Sequence, residues 1–129
     1  MILALNTSTP TCEMLLFNDD KKIAEKAWEA GRQLAIKLPG ELEDFLRENK
    51  LSWNDLKGIV VFQGPGSFTG LRIGITAVNT IAYTQNILIV GARGGDWLKS
   101  GISDIKSGKN EKIILPHYGS PAHITQPRK

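Results

Sequence analysis

The 129-residue chain has few of the residues from which disulfides and metal sites are built. Cys12 is its single cysteine, so no internal disulfide can form, and we expect a reducing compartment. Its two histidines, His117 and His123, have no cysteine or carboxylate at ligand spacing, which disfavours a metal site. No base stands near Ser67 or Thr69 in the sequence. We therefore predict neither a metal site nor catalytic residues.

Long hydrophobic runs and blocks of like charge are also missing. No stretch approaches the roughly 18 apolar residues of a membrane span, and residues 1–5 lack the basic start of a signal peptide. The net charge is only +3, and the sequence contains no run of five residues of like charge. Both features favour an ordinary solvated surface over a dedicated nucleic-acid-binding face. We expect a cytoplasmic protein that does not contact membranes, with one core in one domain.

The hydrophobic pattern predicts a mixed α/β sheet. Residues 2–5, 12–17 and 22–29 have the pattern of three strands joined by turns, which form an antiparallel meander. Residues 31–49 have helical spacing interrupted at Pro39, where we expect either a kink or the beginning of the regular helix. The remaining predicted elements are a helical turn capped by Ser52, strands at 58–62, 87–90 and 112–115, and helices from 67 or 68 to about 85 and over 96–100.

A glycine-rich corner joins the strand at 58–62 to the long helix that follows. Its glycines indicate that the backbone comes very close to another group, and the N–H groups that begin the helix are a potential anion site. The spacing matches neither a P-loop nor a dinucleotide fingerprint. The corner therefore either holds a phosphate or packs against another helix. The candidate phosphate-facing residues are Gly64, Gly66, Ser67 and Thr69.

The helix after the corner has two apolar faces. One face is a continuous stripe, which we expect to pack on the sheet and which consists of Leu71, Ile75, Val78 and Ala82. The other contains two glycines four residues apart, and each costs about 1 kcal/mol relative to alanine inside a helix. We expect a helix to cross there, either residues 34–46 of this chain or a partner protein. The candidate partner-binding residues are Phe68, Gly70, Ile73, Gly74, Ala77 and Ile81, and Gly74→Leu is expected to abolish binding but not folding.

Three segments, residues 2–9, 56–74 and 87–91, resemble the bacterial TsaB (YeaZ) family. The string G-P-G-S-F-T-G-L-R-I-G at 64–74 is the most specific part, and the likeness extends over about residues 1–100. The resemblance implies an actin-like ATPase (ASKHA), ribonuclease H-like fold. It also implies a non-catalytic subunit for threonylcarbamoyladenosine (t6A) formation in tRNA, whose helix pair contacts the catalytic relative TsaD or a second copy.

Three departures from the family pattern qualify these expectations. Asn6 stands where an aspartate is usual, Arg32-Gln33-Leu34 lacks a common His-Ser pair, and we expect a short form without the second domain. We expect a ribonuclease H-like domain over 1–115 and an extended tail over 116–129. The implied partners are a TsaD-type subunit, a TsaE-type ATPase, a second copy when alone, and tRNA indirectly. The chain is expected to have no cofactor of its own, with ATP at the complex interface, and the alternative function is a nucleotide-binding ATPase half-site.

Overall fold

A computed structural model of the protein describes residues 1–115. One five-stranded sheet has the order β3-β2-β1-β4-β5. The strands are β1 (Ile2–Asn6), β2 (Thr11–Asn18), β3 (Lys21–Glu29), β4 (Gly58–Gly64) and β5 (Leu88–Arg93), and the helices are α1 (Leu34–Glu48), α2 (Phe68–Gln85) and α3 (Trp97–Lys106), with single 3₁₀ turns at Gly31–Gln33 and Trp53–Asp55.

Strand β1 lies in the centre of the sheet. It runs antiparallel to β2, with Leu3 opposite Leu16, and parallel to β4, with Leu3 beside Ile59. Because helices cover both faces at this point, β1 is apolar over residues 2–5 without alternation. The edge strand β3 alternates between exposed and partly buried residues. The predicted meander and the two parallel strands are confirmed, and with them the mixed α/β fold class.

Helices pack on both faces of the sheet. Phe62 of β4 meets Trp97 of α3 edge to face, with ring centroids 5.4 Å apart, and Gly101 of α3 lies against Val60. Since side chains alternate along a strand, Ile59 and Val61 point to the opposite face, where α2 packs on β4 and α1 packs beside α2. The predicted stripe of α2 is confirmed, because Leu71, Ile75, Val78 and Ala82 are all buried.

Helix α1 begins at Leu34, so the predicted beginning near Pro39 is wrong. Proline removes the N–H that would bond to the carbonyl of Ala35, four residues earlier. Both residues are exposed, so water can bond to that carbonyl and the helix continues. Its buried side is the predicted one, formed by Leu34, Leu38, Leu42, Phe45 and Leu46. The Ser52 turn is confirmed as a capping box with Asp55.

The predicted strand at 112–115 is wrong. The segment over 110–115, which we call the strap, bonds to the edge of β5 and to α2 largely through side chains. Asn110 Oδ1 accepts the Ile89 N–H at 3.2 Å, and Glu111 Oε1 accepts the Gly91 N–H at 2.7 Å. These side-chain oxygens occupy the place of a neighbouring strand's carbonyls, which is why no regular ladder forms.

Several other elements extend beyond their predicted ends. Strand β4 continues to Gly64, β5 continues to Arg93 and α3 continues to Lys106. The predicted tail over 116–129, with His117 and His123, lies outside the described residues. Within residues 1–115, none of the helices has the length and hydropathy needed to cross a membrane.

Candidate partner-binding groove

The turn after β1 fastens the beginning of α2 to the sheet. The Thr7 hydroxyl donates to the Gly70 carbonyl at 2.6 Å, and the Ser67 N–H donates to the Ser8 carbonyl at 3.0 Å. Thr7 and Ser8 are buried, whereas their partners Gly70 and Ser67 are half-buried and exposed. Gly66 lies directly against Ser8, where a Cβ would come within 2.5 Å of the serine Cβ. The glycine-rich corner is therefore a packing joint between β1 and α2.

The same turn explains the two glycines inside α2. A Cβ at Gly70 would lie 2.2 Å from the Thr7 carbonyl oxygen, and a Cβ at Gly74 would lie 2.2 Å from the Thr7 hydroxyl oxygen. The predicted reason, a helix crossing close to this backbone, is wrong, because the close neighbour is the β1 turn. Gly74→Leu would force a side chain into Thr7, so it is expected to disturb the fold as well as any contact.

Two backbone N–H groups of the glycine-rich corner are already bonded within the protein. Ser67 Oγ caps α2 by accepting the Gly70 N–H at 3.3 Å, while the Ser67 N–H is bonded to Ser8. These two N–H groups are therefore not available to a phosphate. Gly64 is buried, whereas Gly66, Ser67 and Thr69 are exposed. A phosphate-facing role for these residues stays a prediction.

Asn6 has two hydrogen-bond partners at the end of β1. Its Oδ1 accepts the Ser8 N–H at 2.9 Å, and its Nδ2 donates to Glu13 Oε1 at 3.4 Å. An aspartate could accept from Ser8 but could not donate to Glu13, and it would place a second carboxylate beside it. The Asn6 amide can therefore bond to the neighbouring Glu13 carboxylate, whereas an aspartate at this position would repel it.

A groove of about 450 Å³ lies between α1 and α2. A second depression of about 440 Å³ shares Thr69 and Ile73 with it and continues to the beginning of α1. We call the two together the α1–α2 groove. Its main part is lined from α1 by Ala35, Leu38 and Pro39 and from α2 by Phe68, Thr69, Arg72, Ile73, Thr76 and Ala77. The second depression adds Leu34 of α1 and Gly70 of α2.

The structure brings four of the six predicted partner-binding residues to the α1–α2 groove. Phe68, Ile73 and Ala77 line its main part and Gly70 lines the second depression. Phe68 is 51% exposed. The other two lie apart from this lining: Gly74 is buried against Thr7, and Ile81 is half-buried further along α2.

The resemblance implied a contact through both helices, but no residue of α1 was predicted at the site. Ala35 and Pro39 line it, and Ile36, next to Ala35, is 77% exposed. One signal was available, since Ile36 is an isoleucine outside the buried Leu34–Leu38 line of α1. Arg72 was also missed as a groove residue, because a cation on a helix is ordinarily solvated.

The described residues offer little acid–base or metal chemistry. Within residues 1–115, no three side chains among histidine, cysteine, aspartate and glutamate are grouped closely enough to hold a metal ion. Burial, with smaller contributions from the Glu41 and Glu13 carboxylates, raises the pKa of the Cys12 thiol to about 12. The thiol is therefore protonated at neutral pH, which is unfavourable for a nucleophile.

The sheet order, with three antiparallel strands followed by two parallel ones and helices on both faces, defines a domain of the actin-like, ribonuclease H-like class. A solved structure, YeaZ from Pseudomonas aeruginosa, superposes with a TM-score of 0.65 at 28% identity, covering 71% of this chain and 43% of that one. A family model described as TsaD, tRNA N6-adenosine threonylcarbamoyltransferase, matches residues 28–98, more than half of the chain.

Curated relatives place the chain more closely. The tRNA threonylcarbamoyladenosine biosynthesis protein TsaB of Bacillus subtilis (strain 168) is 32% identical in an alignment of 118 residues that covers 84% of this chain and 52% of the relative. TsaB of Escherichia coli (strain K12) is 29% identical over 110 residues, 81% of this chain and 47% of the relative. The chain belongs to the TsaB (YeaZ) family of TsaD-like proteins. It spans about half the length of the curated relatives it matches.

Proposed function

We propose that this chain is a non-catalytic subunit in the formation of threonylcarbamoyladenosine in tRNA, and that it acts by binding a TsaD-type partner through the α1–α2 groove. The relatives named for this modification support the pathway. The family model that matches this chain is the model of the transferase TsaD. This likeness supports a TsaD-type protein of related fold as the partner.

The observation that carries the partner-binding role is the uncovered apolar surface of the helix pair. Phe68 lines the groove and is 51% exposed. Ile36 is 77% exposed and lies on the surface of α1 one helical turn from Pro39, which lines the groove. Contiguous exposed apolar patches of this kind mark interaction sites in soluble proteins. A docked helix pair would bury them, and a standard interface of about 800 Å² per partner is within reach of two adjacent helices.

Calorimetric titration of the chain with the purified TsaD-type protein of the same organism tests the binding site. Ile36→Glu places a charge on the proposed contact and is expected to weaken binding by at least about tenfold, since burying an isoleucine contributes about 1.5–3 kcal/mol. Ile113→Glu is the matched control, because Ile113 is 71% exposed on the strap, which contributes no residue to either depression, whereas Ile36 lies on α1 between the lining residues Arg32 and Pro39. Equal affinities of the two variants would contradict the proposal.

A complementation assay tests the pathway. In a strain that lacks the gene, the wild-type chain and Ile113→Glu are expected to restore threonylcarbamoyladenosine in total tRNA, measured by mass spectrometry of nucleosides. Ile36→Glu is expected to restore much less. Full restoration by Ile36→Glu at equal protein level would mean that the groove is not used.

We also propose that any ATP bound by the complex contacts this chain only at the glycine-rich corner. Thr69, two residues after Ser67, belongs both to this corner and to the groove lining, so a nucleotide there would meet the partner as well. Calorimetry with ATP on the isolated chain and on the complex separates the possibilities. Binding by the isolated chain would favour the alternative, a nucleotide-binding ATPase half-site.

A further inference from the structure

The α1–α2 groove has charges of one sign. Arg72 lines its main part and Arg32 lines the depression at the beginning of α1. Among the described residues that line the two depressions, none carries a carboxylate. Arg72 is also the single charged residue of α2 from Phe68 to Gln85. An apolar groove with two guanidinium groups selects for a partner surface with carboxylates.

The carboxylates of α1 are mostly engaged on its other side. Glu41 and Glu48 both form ion pairs with Lys26 of β3, at 3.3 Å and 3.6 Å. Asp44 pairs with Arg47, one turn further along the same helix. Glu43 is exposed one turn beyond Pro39, so it lies toward the far end of the groove from Arg32. The chain's own acidic residues therefore leave the groove lining positive.

Arg72 is held beside the apolar lining by its own helix. Its guanidinium carbon lies 5.8 Å from the centroid of the Phe68 ring, one helical turn away. The aromatic face and the cation thus form one composite surface. A docking helix that covers Phe68 must also meet Arg72, and it desolvates that guanidinium unless it supplies an acceptor.

A second copy of the chain is a poor match for this surface. A two-fold contact brings the same patch from both copies together. Four guanidinium groups, from Arg32 and Arg72 of each copy, would then share one interface with two Glu43 carboxylates. A homodimer built on this groove would therefore be the weaker of the two possible complexes.

We propose that the groove is occupied by an amphipathic helical surface that presents at least one carboxylate to Arg72, and that this charge match favours the TsaD-type partner over a second copy. This proposal rests on the proposed function and specifies that the partner's contact face carries a carboxylate. Arg72 is then the residue that distinguishes the TsaD-type protein from a second copy.

The test is a titration of the purified TsaD-type protein with Arg72→Gln and Arg72→Glu. We expect about fivefold weaker binding for the neutral variant and more than about tenfold for the reversed charge, with a weaker salt dependence in both. Lys99→Glu is the matched control, because it makes the same charge change at an exposed residue of α3, away from the groove lining. Its affinity is expected to stay at the wild-type value.

Self-association supplies the second readout. Sedimentation velocity is expected to show that Arg72→Glu forms a tighter homodimer than the wild-type chain, since it replaces a repelling cation with a partner for Arg32. Wild-type affinity of Arg72→Glu for the TsaD-type protein would overturn this inference. If Ile36→Glu weakens binding while Arg72→Glu does not, only the charge inference fails. If neither variant changes the affinity, the groove itself is wrongly assigned and both proposals fail.

Discussion

The Thr7 hydroxyl donates a 2.6 Å hydrogen bond to the carbonyl of Gly70, 63 residues away in the sequence. This bond joins the end of the central strand to the first turn of α2. Thr7 is only 1% exposed, and its bond to the half-buried Gly70 is partly shielded from water. We therefore expect this contact to help hold the groove-lining helix on the sheet.

Thr7→Val is expected to lower the free energy of unfolding by about 1–3 kcal/mol. The substitution keeps the shape of the side chain but removes the donor, so the cost is that of a lost buried hydrogen bond. Urea denaturation followed by circular dichroism measures the change. Thr80→Val is the control, because the exposed Thr80 hydroxyl bonds to the Thr76 carbonyl of its own helix, and its effect is expected within about 0.5 kcal/mol. Equal effects would mean that the Thr7 bond does not hold α2.

Alanine substitutions at Gly70 and Gly74 are both expected to destabilise the protein, by about 1–3 kcal/mol or more. The same change at Gly40 of α1, where a Cβ meets nothing within 4 Å, is expected to stabilise it by about 0.5–1 kcal/mol. Thr7→Ala removes the hydroxyl that obstructs Gly74 but keeps the carbonyl that obstructs Gly70. It is therefore expected to rescue Gly74→Ala in part and not Gly70→Ala. Rescue of both, or of neither, would contradict the assigned contacts.

Asn79→Ala is expected to release the strap. The Asn79 amide bonds twice to Ile114, accepting its N–H and donating to its carbonyl, both at 2.9 Å. Loss of these bonds costs about 1–2 kcal/mol, so amide exchange at Ile114 should accelerate by about tenfold. Hydrogen exchange measured by NMR tests this, and Gln85→Ala, an exposed change in the same helix, is the control. Unchanged exchange at Ile114 would show that its burial alone holds the strap.

The Cys12 thiol is expected to be unreactive toward thiol reagents in the native protein. It is also expected to lower the free energy of unfolding at alkaline pH. Burial raises the pKa of its thiol from 9.0 to about 12, so the folded state keeps a proton that the unfolded state loses. This contribution to stability is complete below pH 9 and is lost as the pH rises from 9 toward 12, at about 1.4 kcal/mol per pH unit.

The measurement compares the wild-type chain with Cys12→Ala. The difference between their unfolding free energies is expected to change between pH 9 and 11, and a thiol reagent at pH 8 should react with the wild type only after unfolding. A native thiol that reacts at the unfolded rate would contradict the burial of Cys12.

The sequence predicted much of the fold because most of its signals are local. The bounds of α2 and its buried stripe follow from apolar spacing within one helix, and the three-strand meander follows from the turns between apolar runs. The strap at 110–115 was not predictable in this way, since its bonds reach residues of β5 and α2 that precede it by about 20 to 35 positions. All six candidate contact residues were predicted on α2, and four of them line the groove, whereas the α1 side required knowing how the two helices pack.

The order of strands and helices, the stripe of α2 that faces the sheet and the likeness to TsaB were determined by the sequence alone, because side-chain periodicity and a specific motif are properties of neighbouring residues. Only the tertiary structure decided which residue contacts Gly70 and Gly74. It also decided which part of the glycine-containing face of α2 stays exposed. That is a matter of distances between β1, α1 and α2, and residue spacing along one helix carries no information about how near another segment comes. The two glycines admit the Thr7 turn, and the α1–α2 groove stays open beside them.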